Sequence, residues 1–467
     1  MSNPIVLTPI YRKLIADLDT PVSVYLKLQR PNSFLLESVI GGEQVARYSF
    51  IGLDPFLTML TTTEGTAIFE NKKRTSLPLG AIDGLESIIS RYHMEKHPDL
   101  PPFIGGAVGF FSWEVIHDIE SIQRSEKPGS SFPIAQFLFP QSIVVFDHAK
   151  RELILVTLVQ DNLLVEAEKR LDALEESLKK SLPTSAILTP TETIEDPFSY
   201  VESNYDEATF KAQIAQVKKH IYEGDIFQLV LSQKFKIKSK KNPMDIYRKL
   251  RSINPSPYMY FFDFGDYHII GSSPEILVRL EEGIATVRPI AGTRPRMHGQ
   301  EDALIADLKQ DPKECAEHLM LVDLGRNDLG RVCEFNSIQT TDLMSIEAYS
   351  HVLHMVSTIQ GTLRPDKNGF DLFKATFPAG TLSGAPKIRA MQIIENLEPE
   401  QRGLYGGALG YIDFRGNMDL CIIIRTILAK NNTLYIQAGA GLVADSDPDL
   451  EYEESRNKAK GVLQACL

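Results

Sequence analysis

The spacing of hydrophobic and polar residues changes along this chain, and the changes predict its elements. In the first part, short apolar runs alternate with glycine turns, and residues 142–157 are typical of two strands joined by a turn. From about 160–182, apolar residues recur at helical spacing among charged ones. Residues 183–199 are rich in proline, threonine and serine. We therefore predict a mostly β N-terminal region, 1–182, a linker, 183–199, and a C-terminal region, 200–467.

The C-terminal region alternates predicted helices, strands and glycine-rich turns. An amphipathic helix near 205–223 ends at Gly224 and leads into a strand on which Gln228 is expected to point inward. Glycine-rich turns are predicted at residues 288–296, 377–387 and 437–441. Exposed backbone N–H groups in such turns bind anions. The second turn lacks the Gly-Lys-Ser/Thr of a P-loop, which argues against a nucleoside triphosphatase.

Two predicted helices carry carboxylates on one face. In the first helix, Asp311 and Pro312 are typical of a helix start, and apolar positions continue the helix toward a predicted end at Gly325. Glu314 and Glu317 then lie one turn apart on the same face. Glu314 has an alternative explanation, because an acidic residue three positions after the N-cap stabilises a helix terminus by itself.

The second of these helices begins at Asp447, near the C-terminus. Glu451, Glu454 and Lys458 follow at spacings of three and four, so they share one face. Taken alone, this face is explained by a solvated surface pair between Glu454 and Lys458. Two acidic helices together suit Mg²⁺, because this cation is commonly held by one or two carboxylates together with water and substrate oxygens.

Composition and charge restrict the class of protein further. The 467 residues are 43% hydrophobic and 24% charged, and the net charge of −12 argues against nucleic acid as a partner. The four cysteines form no C-x-x-C pair and no H-E-x-x-H is present, so zinc is not expected. Neither a signal-peptide pattern nor an apolar run of membrane-spanning length is found. We expect a cytoplasmic protein with reduced thiols and no membrane association.

One glutamate of the C-terminal region is a candidate proton donor. Glu275 follows Pro274 at the start of an apolar run, where partial burial would raise the pKa of its carboxyl group. A carboxyl group with a raised pKa can serve as a general acid. The alternative is a glutamate at a strand edge that faces water, and spacing alone does not distinguish the two.

A series of motifs in the C-terminal region occurs in an order that indicates a family. The motifs are GDIFQ, PIAGT, KECAEHLMLVDLGRNDLGRV, HVLHMVS, FPAGTLSGAPK, GLYGGALGY, AGAG and EYEESRNK. Across residues 200–467 the chain resembles the chorismate-utilising enzymes, and within them most closely the anthranilate synthase component I family. The N-terminal half fits the same resemblance through residues 35–38.

The resemblance implies a fold and a set of site residues. The fold is α+β, with a large antiparallel β-sandwich core, surrounding helices and an active site in the cleft between them. Glu317 and Glu454 would bind Mg²⁺, with Glu314 and Glu451 in support. The residues expected to contact the substrate, chorismate, are Gln228, Gly292, Thr293, Tyr405, Arg425, Gly439, Gly441 and Lys458.

The resemblance also implies a reaction. Ammonia adds at ring C2 of chorismate, the C4 hydroxyl leaves, pyruvate is eliminated and the ring becomes aromatic. Glu275 resembles the general acid that protonates the leaving oxygen, and Thr381 lines the ring pocket. His354 either assists a proton transfer or orients the substrate by a hydrogen bond, and the sequence leaves both open. No cysteine-centred amidotransferase motif is present, so a separate glutamine amidotransferase subunit is the expected source of ammonia.

Two positions separate the anthranilate branch from its relatives. By the family pattern, isochorismate and salicylate synthases carry a lysine where Gln228 stands, and aminodeoxychorismate synthases carry one where Ala291 stands. The alternatives are therefore aminodeoxychorismate synthase component I, or a non-catalytic divalent-ion or partner-binding protein on the same fold. The intact Glu275, Glu317 and Glu454 argue against the second.

A second ligand site is implied in part by the N-terminal half. Ser38 and the X-Pro turn at 254–259 resemble the tryptophan feedback pocket of anthranilate synthases, whereas an ordinary turn beside a strand explains the turn alone. The residues expected to bind L-tryptophan are Glu37, Ser38, Asn254, Pro257, Tyr258 and Met259.

Overall fold

The computed structural model places nearly the whole chain. It describes residues 4–38, 47–124, 127, 132–160, 163–182, 187–189, 194–297, 299–348 and 352–467. The predicted linker, 183–199, lies partly outside these residues, and Thr293 is described by its backbone alone.

Strands and helices alternate along the described chain. The strands are β1 Ile5–Val6, β2 Thr8–Ile15, β3 Ser33–Glu37, β4 Tyr48–Thr62, β5 Gly65–Glu70, β6 Lys73–Leu77, β7 Tyr92–His93, β8 Gly106–Phe111, β9 Ala135–Asp147, β10 Glu152–Val159, β11 Glu202–Ser203, β12 Gln228–Lys238, β13 Tyr258–Asp263, β14 Tyr267–Ser273, β15 Ile276–Glu281, β16 Ile284–Val287, β17 Ile290–Pro295, β18 Gln339–Ala348, β19 Val352–Thr362, β20 Gly384–Ala385, β21 Ala408–Asp413, β22 Met418–Ile422, β23 Thr426–Lys430 and β24 Thr433–Leu442. The helices are α1 Pro21–Leu28, α2 Ala81–Ile89, α3 Ile116–Ile119, α4 Leu164–Leu178, α5 Glu207–Tyr222, α6 Pro243–Ile253, α7 Glu301–Gln310, α8 Pro312–Gly330, α9 Gly369–Thr376, α10 Lys387–Leu397 and α11 Pro448–Cys466. Single 3₁₀ turns occupy Trp113–Val115, Pro197–Tyr200 and Gly380–Leu382.

Antiparallel pairing joins the strands from β2 to β6 and from β8 to β24 into one sheet that closes on itself. β1 and β7 pair in parallel outside this sheet. The two halves of the sequence interleave, because β3 pairs with β13 and β8 pairs with β21. The predicted regions 1–182 and 200–467 therefore share one sheet, and their boundaries stay predictions about the sequence.

Two hydrophobic clusters fill the space between the sheet and the helices. One is rich in aromatic side chains, among them Phe110, Phe111 and Trp113. The other packs α6 and α11 against the sheet through residues such as Tyr247 and Leu463. Burial of this apolar surface is the main stabilising contribution to such a fold. The predicted α+β class, with a large antiparallel core and outer helices, is confirmed.

Both acidic helices begin where the sequence predicts. The Asp311 side chain accepts hydrogen bonds from the backbone N–H groups of Lys313 and Glu314, and Asp447 caps α11 in the same way. The predicted end of α8 at Gly325 is wrong, because the helix continues to Gly330. A Cβ atom at Gly325 would lie 3.0 Å from Cδ1 of Ile359, so this glycine serves close packing against β19.

Two predicted glycine-rich turns are strands instead. Residues 437–441 belong to β24, where a Cβ atom at Gly439 would lie 2.5 Å from the carbonyl oxygen of Leu231 on β12. Residues 290–295 form β17, in which Gly292 has a φ of +76° at a shift in register. Glycine in a strand often marks such a close backbone approach or a bulge. Among the residues that the structure describes, no helix is long and apolar enough to cross a membrane.

Candidate active site

The first turns of α8 and α11 bring acidic side chains near the start of β12. The Nε2 atom of Gln228, the first residue of β12, donates a hydrogen bond of 3.4 Å to Oε1 of Glu317. Burial raises the pKa of Glu317, and the negative charges of Glu314 and Glu454 raise it further. The predicted acidic faces therefore lie close enough to repel each other electrostatically.

Two of the predicted metal ligands are paired with basic side chains in this structure. Nη1 of Arg294 lies 3.0 Å from Oε1 of Glu314. Nζ of Lys458 lies 2.7 Å from Oε1 of Glu454, and both of these side chains are about half exposed. The surface pair considered as an alternative for α11 is thus formed. Among the four predicted metal ligands, all of which the structure describes, no three bring carboxylate oxygens within 4.8 Å of one another.

Buried oxygen atoms at the same place fit a hard divalent cation. Oε1 of Glu451 accepts a hydrogen bond of 2.6 Å from Ser446, whereas its Oε2 is buried and has no hydrogen-bond partner. Oε1 of Gln228 is also buried without a partner. Unpaired buried oxygens are costly, and carboxylate and amide oxygens are suitable ligands for Mg²⁺. The unpaired oxygen favours Glu451 as a ligand of such an ion, and Glu314, Glu317 and Glu454 stay predicted ligands.

A different cluster of metal-ligand types, not predicted from the sequence, lies at the end of α5. His220, Glu223 and Asp225 bring their ligand atoms within 4.8 Å of one another. However, Asp225 already accepts hydrogen bonds of 2.8 Å from both His220 and Arg389. Because a guanidinium group neutralises this carboxylate, the cluster is explained as a surface network.

Glu275 immediately precedes β15 and is held by a hydrogen bond from across the site. Oγ1 of Thr381, in the 3₁₀ turn Gly380–Leu382, donates to Oε1 of Glu275 over 2.9 Å. Glu275 is only 8% exposed, and burial raises the pKa of its carboxyl group to about 7. The Thr381 hydrogen bond and the charges of Lys458 and Arg425 oppose this rise. A buried carboxyl group with this pKa carries a transferable proton near neutral pH.

His354 and Arg425 lie close enough for the charge of Arg425 to act on the imidazole. Nη1 of Arg425, which has a φ of +50°, donates to Oδ1 of Asn254 over 3.2 Å. Burial and the charge of Arg425 lower the pKa of His354 to about 4, so its imidazole is neutral near pH 7. Nδ1 of His354 is 3.4 Å from the carbonyl oxygen of Gly292. The backbone of Thr293 is paired directly with His354 in the sheet.

Tyr405 and the two glycines of β24 complete the predicted substrate set. Tyr405 is buried, which raises the pKa of its phenol, and the negative charges of Glu275 and Glu454 act in the same direction. Gly439 and Gly441 lie opposite Ser232 and Val230 on β12. A Cβ atom at Gly441 would be 3.1 Å from Nε2 of Gln228, so glycine leaves space for that amide.

A cavity of about 680 Å³ lies at the residues that are predicted to bind L-tryptophan. It is lined by Glu37, Ser38, Pro257, Tyr258 and Met259, together with other residues. The carboxylate of Glu37 accepts hydrogen bonds from the Tyr247 hydroxyl and the Arg251 guanidinium. Oγ of Ser38 is buried and has no hydrogen-bond partner.

Asn254, the remaining residue predicted to bind L-tryptophan, is not among the residues that line this cavity. Its side chain donates to Oγ of Ser272 over 3.0 Å and accepts from Arg425. Asn254 therefore belongs to the turn that separates the cavity from the predicted substrate residues.

Comparison with known proteins identifies the family to which the chain belongs. Residues 37–464 match the model of a family described as chorismate binding enzyme. Anthranilate synthase component 1 from Acetivibrio thermocellus is 43% identical over 472 residues, covering 98% of this chain and 95% of that protein. The protein of the same name from Pseudomonas aeruginosa is 44% identical over 483 residues, with 98% and 95% covered.

Solved structures agree with this result. A crystal structure of anthranilate synthase component I from Streptococcus pneumoniae has a TM-score of 0.78 and 38% identity, covering 96% of this chain and 99% of that one. A menaquinone-specific isochorismate synthase from Escherichia coli has a TM-score of 0.72 at 19% identity, over 100% and 96% of the two chains, and shows the fold alone. The chain belongs to the chorismate-binding enzymes and, within them, to the anthranilate synthase component I family.

We expect the buried carboxyl group of Glu275 to make stability depend on pH. Because its folded-state pKa of about 7 lies above the ordinary value of 4.5, the folded chain retains a proton that the unfolded chain has released between these values. Stability contributed at this group therefore falls as pH rises through that interval. Glu275→Gln, which stays neutral, should gain stability relative to the unaltered chain, by on the order of 3 kcal/mol at the upper end.

The measurement is the urea midpoint of both proteins at a series of pH values. Glu281→Gln, at the exposed end of β15, removes the same charge and serves as the control. A difference between Glu275→Gln and the unaltered chain that does not change with pH would contradict the assigned pKa.

Proposed function

We propose that this chain converts chorismate and ammonia to anthranilate and pyruvate, in a reaction that depends on Mg²⁺ and leads to tryptophan. The observation that carries this proposal is the buried Glu275, whose pKa is about 7 and whose carboxylate is held by Thr381. An acid of this kind suits protonation of a hydroxyl leaving group at neutral pH. The names of the relatives support the choice of substrate and product.

The substrate is a dicarboxylate, and two groups of residues are proposed to bind its two charges. Arg425 and Tyr405 would contact the enolpyruvyl carboxylate, because a guanidinium group forms strong charge-assisted hydrogen bonds with carboxylates. Glu317, Glu451 and Glu454 would hold Mg²⁺ next to the ring carboxylate. When bound, the ion neutralises charge on that carboxylate as electron density moves toward it.

Among the side chains of the proposed site, Glu275 transfers a proton to the leaving group, whereas His354 and Gln228 form hydrogen bonds. Glu275 gives its proton to the C4 oxygen as ammonia attacks C2, and the C–O bond breaks with loss of water. His354 is neutral at this pH because its pKa is about 4, so it acts as a hydrogen-bonding group that orients the ring. Gln228 cannot accept a proton from water, and its amide instead donates to Glu317. Hydroxylation of the ring is accordingly disfavoured.

Two further molecules are proposed to interact with this chain: a subunit that supplies ammonia and an inhibitor. A glutamine amidotransferase subunit would supply ammonia in a cytoplasmic complex, while free ammonium would suffice at high concentration. L-tryptophan would occupy the cavity of about 680 Å³. The unpaired Oγ of Ser38 suits a ligand with a polar group, and Glu37, whose carboxylate is already paired with Arg251, contributes to the lining.

The purified chain should form anthranilate from chorismate, Mg²⁺ and excess ammonium without any partner. Mass spectrometry of the products checks this, together with a measurement of pyruvate. Aminodeoxychorismate without release of pyruvate would instead assign the chain to the folate branch. Chorismate that remains unchanged would favour a non-catalytic protein on this fold.

Loss of one proposed metal ligand should weaken the dependence on Mg²⁺ specifically. Glu454→Gln should raise the Mg²⁺ concentration for half-maximal activity by at least about tenfold, in line with the effect of disturbing a metal site. Glu453→Gln is the matched control. Glu453 is adjacent to Glu454 in the sequence, but its side chain is 60% exposed and lies near Arg456. Equal Mg²⁺ requirements for the two variants would remove Glu454 from the site. Mg²⁺ titrations of anthranilate formation make the comparison.

Filling the cavity of about 680 Å³ should weaken inhibition by L-tryptophan without affecting catalysis. Ser38→Phe places an aromatic ring in the space proposed for L-tryptophan, and overpacking of about 1–3 kcal/mol corresponds to inhibition weakened by roughly 5- to 150-fold. The activity without tryptophan should be unchanged. Ser90→Phe, at the exposed end of α2, is the control. Inhibition of Ser38→Phe at the same tryptophan concentration as the unaltered chain would rule out this cavity.

A further inference from the structure

A fully buried guanidinium group lies behind the residues assigned to chorismate. The side chain of Arg402 is 1% exposed. Its Nε and Nη2 atoms donate to both carboxylate oxygens of Glu398, over 2.9 and 2.8 Å. Its Nη1 donates to the carbonyl oxygen of Leu382, and Nη2 also donates to that of Val230, each over 2.7 Å. One planar group thus joins three separate segments of the chain.

Two of these segments carry residues of the proposed active site. Leu382 directly follows Thr381, which holds Glu275. Val230 lies on β12, two residues after Gln228, so it points to the same face of the sheet. Because Arg402 binds backbone carbonyl groups here, it fixes the position of the chain itself and not only of one side chain.

The flat face of the same group contacts two aromatic side chains outside these three segments. The Cζ atom of Arg402 is 4.3 Å from the ring centre of Trp113 and 5.5 Å from that of Tyr405. Cations at such distances are attracted to aromatic rings. The backbone N–H of Trp113 donates to the carbonyl oxygen of Gly403 over 2.8 Å, and a Cβ atom at Gly406 would lie 2.9 Å from the indole. Trp113 therefore packs directly against the loop that carries Tyr405.

The partner of Arg402 is equally constrained. Oε1 of Glu398 also accepts hydrogen bonds from the backbone N–H and the hydroxyl group of Ser232, over 2.9 and 2.7 Å. Both ionised groups are buried, at 3% exposure each. Such a pair contributes little net stability compared with apolar side chains of the same size, but it defines one geometry strictly.

We propose that Arg402 is a positioning residue of the chorismate site, which aligns the Thr381 turn, β12 and the Tyr405 loop without touching the substrate. This inference rests on the proposed function. Lysine cannot replace arginine here, because one ammonium centre cannot donate to four acceptors in a plane while lying flat on Trp113. A displacement of the order of 1 Å in such groups can reduce a rate by about 10²-fold.

Trp113 provides a direct readout, because it is the only tryptophan of the chain. Its emission, excited at the long-wavelength edge of its absorption, should change when chorismate is added without ammonia. Trp113→Phe, which lacks this signal, identifies its source. The emission experiment tests binding independently of the product, so a failure of the proposed reaction is distinguished from a failure of the positioning role.

The deciding variant is Arg402→Lys, compared with Arg12→Lys, a surface arginine that pairs with Glu168, Asp172 and Glu175. Each protein is examined below its own melting temperature. We expect kcat/KM for chorismate to fall by at least about tenfold in Arg402→Lys, the emission response to chorismate to weaken, and neither change in Arg12→Lys. A folded Arg402→Lys with normal kinetics and a normal response would overturn the proposal.

Glu398→Gln is the second variant if Arg402→Lys does not fold. It removes the charge opposite Arg402 while nearly keeping the shape of the side chain, and it should produce the same kinetic loss and weakened emission response. Failure of both variants to fold would also overturn the proposal, because the pair would then be required for folding rather than for alignment of the site.

Discussion

The antiparallel pairing of β12 with β24 is the constraint on which the site depends. It extends without a break from Leu229 opposite Leu442 to Lys238 opposite Thr433. Gln228 lies at the end of this ladder, where Gly441 leaves room for its amide. Because α11 and the 3₁₀ turn Gly380–Leu382 pack on these two strands, a shift of register here would displace the acidic face of α11 and Thr381.

Burial has opposite effects on the acidic and basic groups of this interior. It raises the pKa of Glu275 to about 7 and lowers that of His354 to about 4, because a low-polarity environment disfavours any charge. Near neutral pH, the glutamate can therefore carry a proton while the histidine carries no charge. The same physical effect thus produces an acid and a neutral hydrogen-bonding group within the proposed site.

The two proposed ligand sites are neighbours joined by a turn. Asn254 follows α6 and precedes Pro257 and Tyr258, which line the cavity of about 680 Å³. Its side chain accepts a hydrogen bond from Arg425. The hydroxyl group of Tyr258, which lines the cavity, donates a hydrogen bond to Asp419, and Asp419 also forms a salt bridge with Arg279. Charged and polar contacts of this kind are sensitive to small displacements, so the wall between the two sites is polar rather than an inert layer of apolar packing.

Local chemistry in the sequence determined the helix starts at Asp311 and Asp447 and the acidic faces that follow them, since caps and spacings of three and four act within one turn. The family motifs indicated the α+β class. Tertiary structure decided the features that depend on distant neighbours. The glycine-rich segment 437–441 is a strand because β12 approaches β24 closely, and segment 290–295 is a strand because it pairs with β19. Arg402, which lies four residues after Glu398, is buried under Trp113, and no local pattern reveals a contact between residues so far apart in the chain.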